Sequence, residues 1–348
     1  MKSWINEIRR LFLLACIAVA AMAAPAGAET ETDATGRYQG VLTCDGCVDS
    51  RYRIDLFSDG VYYLHVAQSR SDAGHDDVGR WIWSTDKHIL VLKGREKLAR
   101  YFMPDGPGQL KPYEAGQGVL QRDDALSPLI PSGTYTGLFS YMADAPSFED
   151  CASGRRMPVE MADAYIDLER AYLKMQRTPG EKLMTQVRGA LKMLPPMEGD
   201  RLVPTLHVDK SLGFRPGVSC PAHFDNAPLS NTDWLLTQLG QQRVEIPPAT
   251  VTGKRALPHV PHLIFGRSGT LTGAGGCNRL NGNYALSGDG IAFDSIRTTR
   301  MACANGMETE QRLLAALEST SRWRIAGDLL ELLDSGGVLL ARFAAVRK

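Results

Sequence analysis

Tyr52-Arg53-Ile54-Asp55-Leu56-Phe57-Ser58-Asp59-Gly60-Val61-Tyr62-Tyr63-Leu64-His65-Val66 is the stretch whose reading decides the fold class. Aromatic and β-branched residues dominate both flanks. Ser58-Asp59-Gly60 between them offers a tight turn with a glycine free to take positive φ, so the stretch reads as a β-hairpin. Outward from it, 38–42 reads as a preceding strand, and 79–83 and 88–92 as following ones. No helical period of useful length interrupts 36–124, so this segment is expected to be a small antiparallel barrel or sandwich closed on itself to hide its edges.

The proline-bearing stretch 125–132 reads as a linker. Beyond it, 132–223 opens on a strand at 134–141. Ala164, Leu168, Ala171 and Tyr172 at helical spacing predict one amphipathic helix over 162–174, with Asp163, Asp167 and Glu169 towards its N-terminal end. Strands at 183–189 and 202–208 follow, so this segment is expected to be a five-stranded barrel of the OB kind with one helix. In 229–346 short glycine-punctuated strands at 263–265, 270–271, 282–286 and 290–293 precede one helix over 307–319, which buries Leu313, Leu314 and Leu317. A hairpin of 329–333 and 338–343 ends the chain's pattern, and Trp234 is expected in the core. The fold class is therefore mainly β, as three small domains in series.

The chain has 348 residues, 44% of them hydrophobic, with 39 Lys plus Arg against 39 Asp plus Glu. That length suits two or three domains of about 100 to 150 residues. The balanced charge supplies no global field for nucleic acid, which is excluded as a partner class. Residues 1–28 read as a secretory signal: Lys2, Arg9 and Arg10, an apolar run over 11–24, then Ala26-Gly27-Ala28 before Glu29. No later stretch has the roughly 20 apolar residues of a membrane span. Leu13-Leu14-Ala15-Cys16 is close to a lipobox that would lipidate Cys16, but the apolar run continues well past it. Export to the periplasm is the expectation, and an outer-membrane lipoprotein the alternative.

Seven cysteines occur, and cleavage at 28 would remove Cys16 and leave an even number in an oxidising compartment. Their spacing groups them as Cys44/Cys47, Cys151/Cys220 and Cys277/Cys303, one pair per segment. The last two are expected as disulfides buried within separately folding domains. Cys44-x-x-Cys47 leaves three readings open: a short-ring disulfide, a two-thiolate Cu(I) site, or redox exchange. His259-x-x-His262 has metal-like spacing among prolines and reads as structural. Met157, Met161, Met175 and Met184 read as core fillers, and Gly273-Ala274-Gly275-Gly276 as turn geometry without the Lys-Ser/Thr of a phosphate loop. No G-x-S-x-G or H-E-x-x-H string supplies a catalytic centre.

Gly40-Val41-Leu42-Thr43-Cys44-Asp45-Gly46-Cys47, the Asp59-Gly60-x-Tyr62 turn and Gly79-Arg80-Trp81 make the first segment resemble the N-terminal barrel of the NlpE family. The second resembles that family's C-terminal OB-like domain through Tyr141-Met142-Ala143-Asp144-Ala145-Pro146-Ser147-Phe148-Glu149-Asp150-Cys151-Ala152-Ser153-Gly154 and Leu168-Glu169-Arg170-Ala171-Tyr172-Leu173. The resemblance implies that Cys151 pairs with Cys220, and that the protein belongs with envelope lipoproteins of copper homeostasis and envelope stress signalling. The third segment resembles a META domain of the HslJ kind through Cys277-Asn278-Arg279-Leu280-Asn281-Gly282 and Thr298-Thr299-Arg300-Met301-Ala302-Cys303. Asn278, Arg279, Asn281, Gly282, Thr299, Arg300 and Met301 are its motif residues.

The reading that follows is a non-enzymatic periplasmic sensor or binding protein whose disulfides report redox and folding state, with an envelope protein as partner and no cofactor. The alternative is a copper-binding protein using Cys44 and Cys47.

Overall fold

The computed structural model describes residues 34–43, 48–68, 74–96, 98–114, 116–196, 200–222, 224–245 and 260–346. The expected signal segment, Cys16, the Cys44/Cys47 pair and His259 lie outside them. The first domain is a closed barrel of β1 (Gly36–Leu42), β2 (Ser50–Leu56), β3 (Val61–Gln68), β4 (Gly74–Trp83), β5 (Leu90–Gly94), β6 (Arg100–Pro104), β7 (Gln109–Pro112) and β8 (Leu120–Arg122). Closure comes where Tyr38 pairs with Arg122. The hairpin forms as its sequence dictates. Gly60 takes a φ of 77°, its amide donates to the Phe57 carbonyl, and Phe57 and Val61 bond across the turn.

The second domain orders its strands β11 (Arg156–Pro158), β10 (Ala145–Asp150), β9 (Ser132–Met142), β12 (Leu183–Leu194) and β13 (Val203–Arg215). A parallel bridge between Val159 and Leu206 brings its two ends together, the way an OB sheet curls. Helix α1 (Tyr165–Met175) caps it with Tyr165, Leu168 and Tyr172 buried. The helical spacing held, but β12 and β13 run well past the expected 183–189 and 202–208.

In the third domain β14 (Asp233–Leu239), β15 (Gln242–Arg243), β16 (His262–Phe265), β17 (Thr270–Ala274), β18 (Arg279–Ser287), β19 (Gly290–Thr298), β20 (Arg322–Ala326), β21 (Leu329–Leu333) and β22 (Leu339–Val346) form one sheet, which closes by pairing β14 with β22. Helix α2 (Met307–Ser319) buries Leu313 and Leu317 in a core centred on Trp234, which is fully buried.

The expectation of separately folding domains needs correction. Val61, Tyr63 and Val78 of the barrel belong to the same apolar cluster as Tyr135, Phe139, Leu168 and Tyr172 of the OB domain. Successive strand residues face opposite ways, so β3 buries one face in the barrel and offers the other to its neighbour. Nor is 125–132 a free tether: the Leu129 amide donates to Asp55 Oδ2 at 2.8 Å and Arg53 to the Ser127 carbonyl at 2.6 Å. On another side Ile89 and Val91 pack with Ala326 and Phe224.

That second joint is ionic at its centre. Glu331, 1% exposed, accepts hydrogen bonds from Arg324 Nε at 2.6 Å, from Arg342 Nε at 2.8 Å and from the Tyr113 hydroxyl of the barrel at 2.8 Å. Burial and then the Glu331 charge push the Tyr113 phenol above its ordinary range, so it stays a donor at neutral pH. Asp86 of the barrel lies 3.4 Å from Arg324 Nη1. Among the described residues, no helix is long and apolar enough to cross a membrane.

Candidate functional site

Cys151 and Cys220 are joined as a disulfide with Cα atoms 5.2 Å apart, across a sequence separation of 69. The turn that presents Cys151 is built by its neighbours. Gly154 takes a φ of 70° and donates to the Asp150 carbonyl at 2.7 Å. Asp150 Oδ2 accepts the Ser153 amide at 2.8 Å and hydroxyl at 2.7 Å, while the Cys151 amide reaches the Thr136 carbonyl of β9 at 2.9 Å. Cys151 Sγ lies 4.0 Å from Met184 Sδ. Both cysteines are half-buried, which corrects the expectation of a buried bridge.

Cys220 is not in the OB sheet. It lies beyond β13, in the segment leading to the third domain, so the bridge fastens that connecting segment back onto β10. A few residues on, Asn226 Nδ2 donates to the Trp83 carbonyl of the barrel at 2.9 Å, while its Oδ1 accepts the Gly327 amide at 2.7 Å. On the other side of Cys151, Arg155 holds Asp59 of the barrel hairpin at 2.7 Å and donates to the Tyr63 hydroxyl at 2.7 Å. Its guanidinium lies over the Phe57 ring, 4.8 Å from the centroid. One turn, 150–155, therefore touches the disulfide, the barrel and the OB sheet.

Asp150 is fully buried and its Oδ1 has no hydrogen-bond partner. Burial outweighs the bonds from Ser153 and raises its pKa. Protonation is thus more favourable in the folded than in the unfolded chain. This group's contribution to stability is least at neutral pH and grows as pH falls through the raised pKa. In urea melts across pH, wild type should therefore gain stability relative to Asp150→Asn on acidification. A pH-independent difference between the two proteins would show that the carboxyl titrates normally.

Cys277 and Cys303 form the other bridge, with Cα atoms 5.8 Å apart. The META-like motif around it divides in two. Asn278 is buried: its amide donates to Glu310 Oε2 at 2.6 Å and its side-chain Nδ2 to Glu310 Oε1 at 2.9 Å. Its Oδ1 accepts the Thr299 hydroxyl at 2.8 Å and the Met301 amide at 2.7 Å. One asparagine thereby ties α2, the start of β18 and the segment after β19. A Cβ at Gly282 would fall 2.5 Å from Ile296 Cδ1, so that side chain would have to shift to admit it, and Gly276 takes a φ of 123° close against Gly306. Arg279, Asn281 and Arg300 are exposed; the Arg279 amide donates to Thr299 Oγ1 at 3.2 Å, but among the described residues none of the three side chains enters this network.

The remaining expectations resolve as follows. Met157 and Met184 are core residues, but Met161 and Met175 are 53% and 44% exposed, because Met161 lies in the bend before α1 and Met175 at that helix's last position. His262 Nδ1 lies 2.7 Å from the Val260 carbonyl. Among the described residues no group of three or more His, Cys, Asp or Glu could hold a metal ion. Sequence reasoning missed Asp150, Arg155 and Glu310. The signals available were Asp150 directly before a cysteine and Glu310 in the first turn of a helix.

Comparison with known proteins places these domains. The family model of the NlpE N-terminal domain matches residues 38–117, that of the NlpE C-terminal OB domain 130–221, and that of the META domain 227–347. Lipoprotein NlpE of Escherichia coli K12 is 24% identical over 193 residues, covering 53% of this chain and 79% of the relative. The crystal structure of the Cpx pathway activator NlpE from Escherichia coli aligns with 54% of this chain and 98% of its own at 24% identity, TM-score 0.25. An NMR structure of a protein from Burkholderia xenovorans aligns with 38% of this chain and 98% of its own at 24% identity, TM-score 0.28. In chain order, then, the protein resembles NlpE through its first two domains and the META domain through its third.

Proposed function

We propose that this protein is a non-enzymatic envelope-stress sensor on the periplasmic side of a bacterial envelope, in which the Cys151–Cys220 disulfide reports the oxidative folding state. Similarity to the NlpE relatives, a lipoprotein and a Cpx pathway activator, supports an envelope-stress role. The observation that carries the finer reading is the placement of the bridge: it is half-buried and fastens an interdomain segment to the turn that grips the barrel. Two-electron reduction by a dithiol, or failure to oxidise the two thiols at all, frees that segment. Two thiols then replace one S–S bond, and the surface exposed in their place is available to an envelope protein partner. A lipid at Cys16 would decide only where the protein sits.

The test compares envelope-stress reporter output in cells carrying Cys220→Ser and Cys44→Ser at matched protein levels. Altered output from Cys220→Ser, with Cys44→Ser close to wild type, is the expected result. A change confined to Cys44→Ser would move sensing to the first barrel, where the Cys-x-x-Cys pair suits Cu(I). Equal output from all three proteins would leave the protein a binding module in which the Cys151–Cys220 disulfide is structural.

A further inference from the structure

The arginines of the third domain divide into two sets. Arg312, Arg322, Arg324 and Arg342 have partners within the chain. Arg279, Arg297 and Arg300 are exposed, as are Arg243 and Arg267, and among the described residues none of the five makes a side-chain hydrogen bond or ion pair. Strand register brings the first two together. Asn281 of β18 pairs with Arg297 of β19, and Arg279 stands two residues before Asn281 on the same face. Arg279 and Arg297 are therefore diagonal neighbours, roughly 7 to 8 Å apart, close enough for both guanidiniums to converge on one anionic group. Arg300 follows just beyond β19.

The surroundings narrow the ligand. Thr272 of β17 pairs with Asn281, and Thr270 with Asn283, and all four are exposed. The face offers hydroxyls, amides and guanidiniums but no aromatic or aliphatic anchor of the kind on which protein interfaces turn. Its inward counterpart is apolar: Leu280, Tyr284, Phe293 and Ile296 pack against the core. The acid on the outer face is Asp294, opposite Asn283. The nearby Asp289 is already held by Arg322 at 2.7 Å.

We propose that this outer face of β17–β19 is a docking surface for the phosphate headgroups of an anionic lipid membrane. Guanidinium forks match phosphate oxygens, threonine and asparagine can bond neighbouring headgroup oxygens, and exposed side chains spread over three adjacent strands suit an array of headgroups rather than one enclosed small molecule. The surface lies apart from Cys151–Cys220, and the proposal stands or falls independently of redox sensing.

The experiment measures binding of the full chain to vesicles of phosphatidylglycerol in phosphatidylcholine, and to phosphatidylcholine alone. Wild type and variants share one N-terminus, so their difference reads the face itself. Each arginine near an anionic surface contributes roughly fivefold to binding, so Arg279→Ala/Arg297→Ala should bind the anionic vesicles about 25-fold more weakly. The Lys/Lys replacement should restore most of that affinity, Asp294→Asn should increase it, and added salt should diminish it. These positions are exposed, and circular dichroism checks that each variant folds. Unchanged vesicle binding in the Ala/Ala variant would overturn the proposal. So would displacement of the protein from vesicles by free glycerol 3-phosphate at stoichiometric amounts, which would assign the face to a soluble phosphate ester.

Discussion

Cys220→Ser is expected to lower the unfolding free energy by about 4 kcal/mol, the loop-entropy contribution of a closed loop of this length, given its sequence separation of 69. The unfolded variant regains the freedom that the bridge removed, while the folded state loses little packing because both sulfurs are half-buried. Guanidinium melts followed by circular dichroism and by tryptophan fluorescence, to which Trp81 and Trp83 of the barrel contribute beside Trp234 and Trp323 of the third domain, would measure the change. Trp81 donates from its indole to the Phe57 carbonyl at 3.0 Å, next to the ring that carries Arg155. Because the barrel and OB domain share an apolar cluster, the fluorescence and the circular dichroism should shift together. With both proteins reduced, so that Cys277–Cys303 is open in each, wild type and the variant should coincide. A loss below about 1 kcal/mol would mean that the connecting segment is held by its other contacts, and the disulfide would be a poor trigger.

Glu331→Ala is expected to cost about 3 to 5 kcal/mol, the range for removing one member of a buried ionic cluster. The carboxylate is 1% exposed, and its loss leaves Arg324 and Arg342, whose side chains are 13% and 15% exposed, facing each other without their shared anion. Glu331→Gln keeps the size and one acceptor and should fall between. Since the Tyr113 hydroxyl comes from the barrel, a double-mutant cycle with Tyr113→Phe isolates the part of this energy that couples two domains. A coupling energy near zero would show that the tyrosine only borders the cluster.

What the sequence told and withheld follows from distance along the chain. The hairpin at 52–66 and helix α2 were legible because their stabilising contacts are local. Strand β14 was missed because Trp234 was read only as a core residue, and β6 to β8 because runs such as Leu120–Arg122 are too short to show a period. β10 carries Pro146, Glu149 and Asp150, which mask its alternation. At the candidate site the cysteine groups follow from spacing, whereas the groups that give the site its setting have remote partners. Asn278 meets Glu310 32 residues away, Asp59 meets Arg155 96 residues away, and Tyr113 meets Glu331 218 residues away. The apolar run Val61-Tyr62-Tyr63-Leu64 did hold a clue, since a barrel strand facing solvent would alternate. Its lack of alternation marks a strand covered on both sides.

The barrel grips its two neighbours with different balances of chemistry, the larger apolar cluster at the OB joint and a buried ionic cluster at the centre of the other, and temperature separates the two grips. Apolar burial loses strength on cooling, so the joint made by Val61, Tyr63 and Val78 slackens in the cold. The desolvation penalty of buried ions shrinks on heating, so the joint around Glu331 tightens, relative to the other, as the protein warms. Chilling would therefore ease the barrel away from the domain that carries Cys151 while the far end of the chain stays attached, and a warm envelope would favour the reverse order of release.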